Sequence, residues 1–221
     1  MKPILFNTEM VQAILDGRKT TTRRVIKPQP RYIKASGRWV YQIPEKQVHA
    51  GCCTAVCSAS REWWEYLMHD QFPYQLGDIL YVRETFCPYD AGHVINGVKY
   101  AYKADSTPES EEVRKAYGYK WKPSIFMPKD AARIFLKVTD VKAEQLHDIT
   151  EEQIKQEGIE FVSGYDVRDI PLNTWDYFEM LFKRLWNSTI KKSDLPLYGW
   201  DANPWVWVIS FERCEKPKEE A

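Results

Sequence analysis

Apolar positions change period twice within the first 26 residues. Residues 3–6 are a short apolar run that reads as a strand. Residues 8–16 then place Met10, Val11, Ile14 and Leu15 at helical spacing, with Asn7 or Thr8 able to cap the first turn and Gly17 suited to a left-handed exit. Residues 20–26 are β-branched and alternating, so a second strand follows, and Pro28 ends it because proline cannot extend a ladder. Lys19 thus falls at a helix-to-strand corner, where a turn can aim its amine into a cleft.

Further along, residues 31–75 are weakly periodic, and Arg38-Trp39-Val40-Tyr41-Gln42-Ile43 fits one hairpin arm. In residues 79–86 alternation puts Leu80, Val82, Glu84 and Phe86 on one face, with Ile79, Tyr81 and Arg83 on the other. If both faces are covered, Glu84 or Arg83 must enter a cleft or find a partner, because an unpaired buried charge is very costly. Residues 97–103 alternate as an edge strand, and residues 106–116 read as an exposed charged helix or turn. The proline-bounded stretch 121–128 suits a loop laid over a barrel mouth, where Trp121 and Phe126 either close a core or stack on a base.

Residues 132–141 form a strand with Ile134, Leu136 and Val138 on one face. The helix after it is capped by Asp148 with Glu151 or by Thr150 with Gln153, and it stops at Gly158. Glu157 then sits in the last turn, where the helix dipole disfavours a carboxylate unless a cation lies close by. Thr174 can cap an amphipathic helix striped by Phe178, Leu181, Phe182 and Leu185 and flanked by Trp175 and Trp186. A turn at Asp201-Ala202-Asn203-Pro204 leads into Trp205-Val206-Trp207-Val208-Ile209, apolar on both faces and so a central, covered strand. The charged tail from Glu215 is expected to fray.

Charge narrows the function. The 221 residues carry 31 Lys+Arg against 31 Asp+Glu, which leaves no general excess for holding long nucleic acid by phosphate neutralisation. A local basic patch at Arg18, Lys19, Arg23 and Arg24 remains. No apolar run approaches the ~18 residues of a membrane span, so a cytoplasmic protein with no membrane partner is expected. Five cysteines fit free thiols in a reducing compartment. His49, Cys52, Cys53 and Cys57 are a zinc-compatible set, but their irregular spacing, without a Cys-x-x-Cys pair, favours ordinary reduced cysteines and no metal. There is no phosphate loop, dinucleotide fingerprint or nucleophile elbow, hence no cofactor is expected. His49, His69, His93 and His147 are scattered, which leaves Lys19, Thr22, Glu84 and Glu157 as the candidate catalytic groups.

Gly17-Arg18-Lys19-Thr20-Thr21-Thr22-Arg23-Arg24 can be read as a polar turn whose cations complement a helix C-terminus. It also resembles the Gly-Arg-Lys-Thr-x-Thr-x-Arg signature that opens ASCH domains, relatives of the PUA-like RNA-binding barrels. The likeness continues in order through the Gly77-Asp78 turn into Ile79-Leu80-Tyr81-Val82-Arg83-Glu84, the strand from Arg133, the helix start Asp148-Ile149-Thr150-Glu151-Glu152 and a closing strand from Pro204. It implies an α+β fold, a PUA-like mixed β-barrel with flanking helices, as a single domain over 1–221. Residues 28–75 and 90–128 would be large insertions, and this long form resembles the phage and prophage branch.

ASCH members that hydrolyse the acetyl amide of N4-acetylcytidine use a lysine, a threonine three residues later, and a glutamate near the end of the helix after the middle strand. The resemblance carries these roles to Lys19, Thr22 and Glu157. Thr22 would attack the amide carbonyl, neutral Lys19 would take its proton, and Glu157 would orient the lysine or protonate the leaving group. Arg18 or Arg24 would steady the oxyanion or ribose. Because residues three apart on a strand face opposite sides, Lys19 must lie in the corner or on a bulge. The alternative is a non-catalytic RNA-binding or regulatory module, in which Arg18, Lys19, Arg23 and Arg24 hold phosphates, Trp121 stacks a base, and Arg83 and Glu84 contribute to the nucleotide site. A third reading is an interaction protein for a host factor, presenting Trp39, Trp63 and Trp64.

Overall fold

The computed structural model describes residues 1–33, 38–42, 55–58, 73–89, 99–160 and 174–217. The expectations for His49, Cys52, Cys53, Trp63 and Trp64 lie outside these residues, and for Trp39 and Cys57 only the backbone is described. The fold is α+β with a mixed sheet, and the chain divides into two compact units, each assembled from separate stretches. The first comprises Met1–Thr20, Gly77–Val138 and Phe211–Ala221; the second comprises Thr21–Leu76 and Thr139–Ser210.

In the first unit β1 (Lys2–Leu5) runs parallel to β6 (Ile79–Arg83), and β6 pairs antiparallel with β9 (Phe135–Gln145). The register sets Ile4 opposite Val82 and Leu80 opposite Leu136, all at most 1% exposed. Helix α1 (Thr8–Leu15) is capped by Asn7, whose side chain accepts from the Met10 N–H, and it buries Val11, Ala13 and Ile14. The alternation expected for residues 79–86 is present, since Leu80, Val82, Glu84 and Phe86 are all buried. The strand itself breaks at Glu84, and β7 (Phe86–Pro88) pairs separately with β8 (Tyr100–Tyr102). Helix α2 (Pro108–Ala116) begins with a capping box between Thr107 and Ser110.

The second unit holds β2 (Thr21–Val25), the part of β9 from Thr139 onward and β10 (Trp205–Cys214) as far as Ser210, with β10 in the middle. Trp205, Val206, Trp207, Val208 and Ile209 are each at most 7% exposed, as a strand apolar on both faces requires. A separate antiparallel sheet joins β3 (Arg31–Ile33), β4 (Arg38–Gln42) and β5 (Ala55–Ser58) within the expected first insertion. Helix α3 (Glu151–Gln156) uses the Thr150/Gln153 frame of the two anticipated. Helix α4 (Thr174–Thr189) buries Phe178, Phe182 and Trp186 against Trp200, Leu146, Ile154, Val206 and Val208. The stripe is rotated from the expected one: Leu181 and Leu185 are half-buried while Tyr177 and Trp186 go inside, because wide rings fill the space facing Trp200. None of the sheets closes on itself among the described residues.

Where Pro28 ends β2, a side chain replaces the ladder. Gln29 Nε2 donates to the carbonyls of Ile26 (2.6 Å) and Trp205 (3.0 Å), and its Oε1 accepts from the Trp205 N–H (2.7 Å). A typical net contribution of ~0.5–1.5 kcal/mol for each of the three hydrogen bonds makes Gln29→Ala a loss of about 1.5–4.5 kcal/mol. Urea unfolding should show this, and Gln29→Glu should be destabilised too, since a carboxylate cannot donate to two carbonyls.

Candidate functional site

Helix α1 ends where the sequence places its stop. Gly17 takes φ 78°, and the N–H groups of Arg18 and Lys19 both return to the Ala13 carbonyl, at 2.9 and 3.0 Å. This fold-back, followed by the Thr20 carbonyl accepting from the Phe211 N–H, turns Lys19 inward before β2 begins. Lys19 is 2% exposed, with Nζ 5.6 Å from the centre of the Phe6 ring. Arg18 stays near the surface and pairs with Asp16 at 2.8 Å.

On β2 the residues alternate between faces. Thr22 lies opposite Ile209 and is 1% exposed. Arg23, on the other face with Val25, is 3% exposed and enclosed by acids. Its Nη2 lies 2.7 Å from Glu144 Oε1, its Nε 3.2 Å from the same oxygen, and its Nη1 3.1 Å from Glu157 Oε1. Lys142 reaches the other Glu144 oxygen at 2.8 Å, so two cations balance two buried carboxylates. Gln153 Oε1 accepts from Arg23 Nη2 as well as from the Thr150 N–H, which ties the cap of α3 to the same guanidinium. Arg23 also supplies the cation that Glu157 needs at a helix C-cap. Its fork is thereby occupied by carboxylates instead of being presented to a phosphate. Burial pushes the neighbouring Arg24 guanidinium below its ordinary range, while the charges of Glu157 and Tyr74 pull it back.

In the first unit Glu84 finds the partner its position demands. Arg133 grips it with Nε at 2.9 Å and Nη2 at 3.1 Å, and the other edge of the same guanidinium holds Asp105. Burial still raises the Glu84 pKa, against the pull of Arg133. The Arg133 guanidinium stacks over Tyr102 at 4.0 Å, and the Tyr102 hydroxyl donates to the Ala131 carbonyl at 2.7 Å. Burial pushes the Tyr102 phenol up to about 12. Arg83, on the opposite face, donates to the Ile125 carbonyl and leaves Nε buried with no hydrogen bond among the described residues. Trp121 is half-buried: Nε1 donates to Glu111 at 2.8 Å, and the Arg114 guanidinium lies 5.1 Å from its ring. Phe126, its companion as a stacking candidate, is 68% exposed.

Within the second unit Arg23 meets Glu157 and Arg24 feels the Glu157 charge, while Thr22 lies on the other face of β2 from Arg23; Lys19, Arg18, Arg83, Glu84 and Trp121 belong to the first unit. Sequence reading missed Glu144 and Arg133, and gave Gln153 only as a cap partner of Thr150. The available signal was indirect: a carboxylate on an apolar strand face, or an arginine between buried neighbours, requires an opposite charge somewhere. Compared with protein-family models, with curated proteins and with solved structures, the chain matches none. Among the described residues no group of three or more His, Cys, Asp or Glu side chains is placed to hold a metal ion, and no helix is long and apolar enough to cross a membrane.

The Tyr102 phenol gives a pH test. Its proton is held to about pH 12 in the folded chain but leaves near pH ~10 in the unfolded one, so its stabilisation is complete below pH ~10 and declines as pH rises toward 12. Tyr102→Phe should be less stable than the parent at pH 8, with the deficit shrinking at pH 11 in urea titrations. A deficit equal at both pH values would contradict this placement.

Proposed function

We propose that the chain is an ASCH-type protein, built on a PUA-like barrel elaborated at 28–75 and 90–128, that takes a nucleoside or RNA segment at the Lys19/Thr22 corner in the cytoplasm. The concrete reaction is hydrolysis of the acetyl amide of N4-acetylcytidine or a related modified nucleoside. One observation carries the reading: Lys19 and Thr22 of the motif are buried, as is Glu157. Lys19, Thr22 and Glu157 are 2%, 1% and 4% exposed, whereas a solvated helix exit would leave lysine in water.

The reaction uses Lys19 as a neutral amine, the form a general base requires. Thr22 Oγ attacks the amide carbonyl and passes its proton to Lys19. The cytidine amine leaves with a proton, and water releases acetate from the threonine ester. Arg23 anchors Glu157 through Oε1 at 3.1 Å, which suits a carboxylate that serves the leaving nitrogen. A phosphate-gripping module fits less well, because Arg23 is already bound to two carboxylates.

Incubating the protein with N4-acetylcytidine and following cytidine by chromatography tests the reaction. Turnover should fall at least about 100-fold in Lys19→Ala and in Thr22→Ala, the scale of losing a general base or nucleophile. A folded wild type with no turnover would remove this substrate. RNA affinity falling steeply with salt would then favour the non-catalytic module.

A further inference from the structure

The first unit contains a cavity of about 320 Å³ whose walls come from residues 89–133, none of them in the Gly17–Arg24 motif. We propose that this cavity is a second ligand site, one that takes a single uncharged heteroaromatic ring of nucleobase size. Four aromatic side chains line it: Tyr89, Tyr100, Tyr102 and Trp121. Its volume lies at the small end of ligand pockets, enough for a base with its sugar and too little for a run of nucleotides.

The walls are held before any ligand arrives. Arg133 lies over Tyr102 and Arg114 over Trp121, Tyr100 donates to Asp130 at 2.9 Å, and Tyr89 meets Tyr119 edge-on at 5.3 Å. Preset walls reduce the ordering cost of binding and favour a flat, rigid guest.

Charge selects the guest further. Both guanidiniums that border the cavity are engaged: Arg133 by Glu84 and Asp105, Arg114 by Glu111 at 2.8 Å and by the Tyr119 carbonyl. Among the described residues an entering phosphate would meet no unengaged cation and would face the Asp105 carboxylate. A neutral ring avoids that penalty. Because an ionised carboxylate only accepts, Asp105 favours a ring bearing an amino or ring N–H donor.

The site is independent of the Lys19/Thr22 corner, so it is tested where that corner is disabled. Adenosine and AMP are titrated by calorimetry into the full chain carrying Lys19→Ala and Thr22→Ala. Adenosine should bind with a stoichiometry near one, and AMP no more tightly. Adding Ala101→Trp, which fills the cavity, or Trp121→Ala, which removes a wall, should weaken adenosine at least about tenfold, the scale of one base–aromatic stack. Trp121→Phe keeps a flat wall and should bind within a few-fold of the parent, which separates a lost contact from a lost fold. No adenosine binding in that chain, tighter binding of AMP, or indifference to both Ala101→Trp and Trp121→Ala would overturn the proposal. A failure of N4-acetylcytidine turnover would leave it untouched.

Discussion

The second unit depends on a buried guanidinium held between two carboxylates. Arg23 on β2, Glu144 on β9 and Glu157 at the end of α3 are each at most 4% exposed, and none of the three charges is tolerable there alone. The cluster therefore has to form as a whole, and in doing so it sets the register of β2. A slip of one residue against β10 would replace Arg23 by Thr22 or Arg24 on the face that carries Val25. It also fixes Glu157, because the carboxylate sits at a C-cap that the helix dipole disfavours and the guanidinium compensates.

The same device occurs in the first unit with a different exposure. Arg133 is gripped on both edges by Glu84 and Asp105, yet its side chain is 27% exposed and borders the aromatic cavity, whereas the side chain of Arg23 is 1% exposed. One fork is enclosed and positions its neighbours. The other stiffens the wall of a space large enough to admit a small molecule, and its pairing decides which charges that space can accept.

Much of the local structure was legible because it follows from spacing. The corner at Lys19 came from helical periodicity ended by Gly17, and the inward Glu84 from strict alternation with Leu80, Val82 and Phe86. Boundaries were less legible: β9 runs to Gln145 instead of 141, since continued pairing, not propensity, decides where a strand stops. The rotated stripe of α4 had the same origin, in rings contributed by distant Trp200. Least legible were the acidic partners. Glu144 lies 121 residues from Arg23, and no local pattern announces a contact across that separation. The expectation of a surface basic patch missed for Arg23 for that reason, although the need for a partner followed from its burial once known.

The most direct measurement is a double-mutant cycle on Arg23→Met and Glu144→Gln, read by urea unfolding with Arg23→Met/Glu144→Gln beside the singles. If the enclosed pair organises the second unit, each single change is costly and the double change costs less than their sum, with a coupling of about 1–3 kcal/mol. Additivity within about 0.5 kcal/mol would contradict the account, because it would mean that Arg23 and Glu144 contribute independently to the fold.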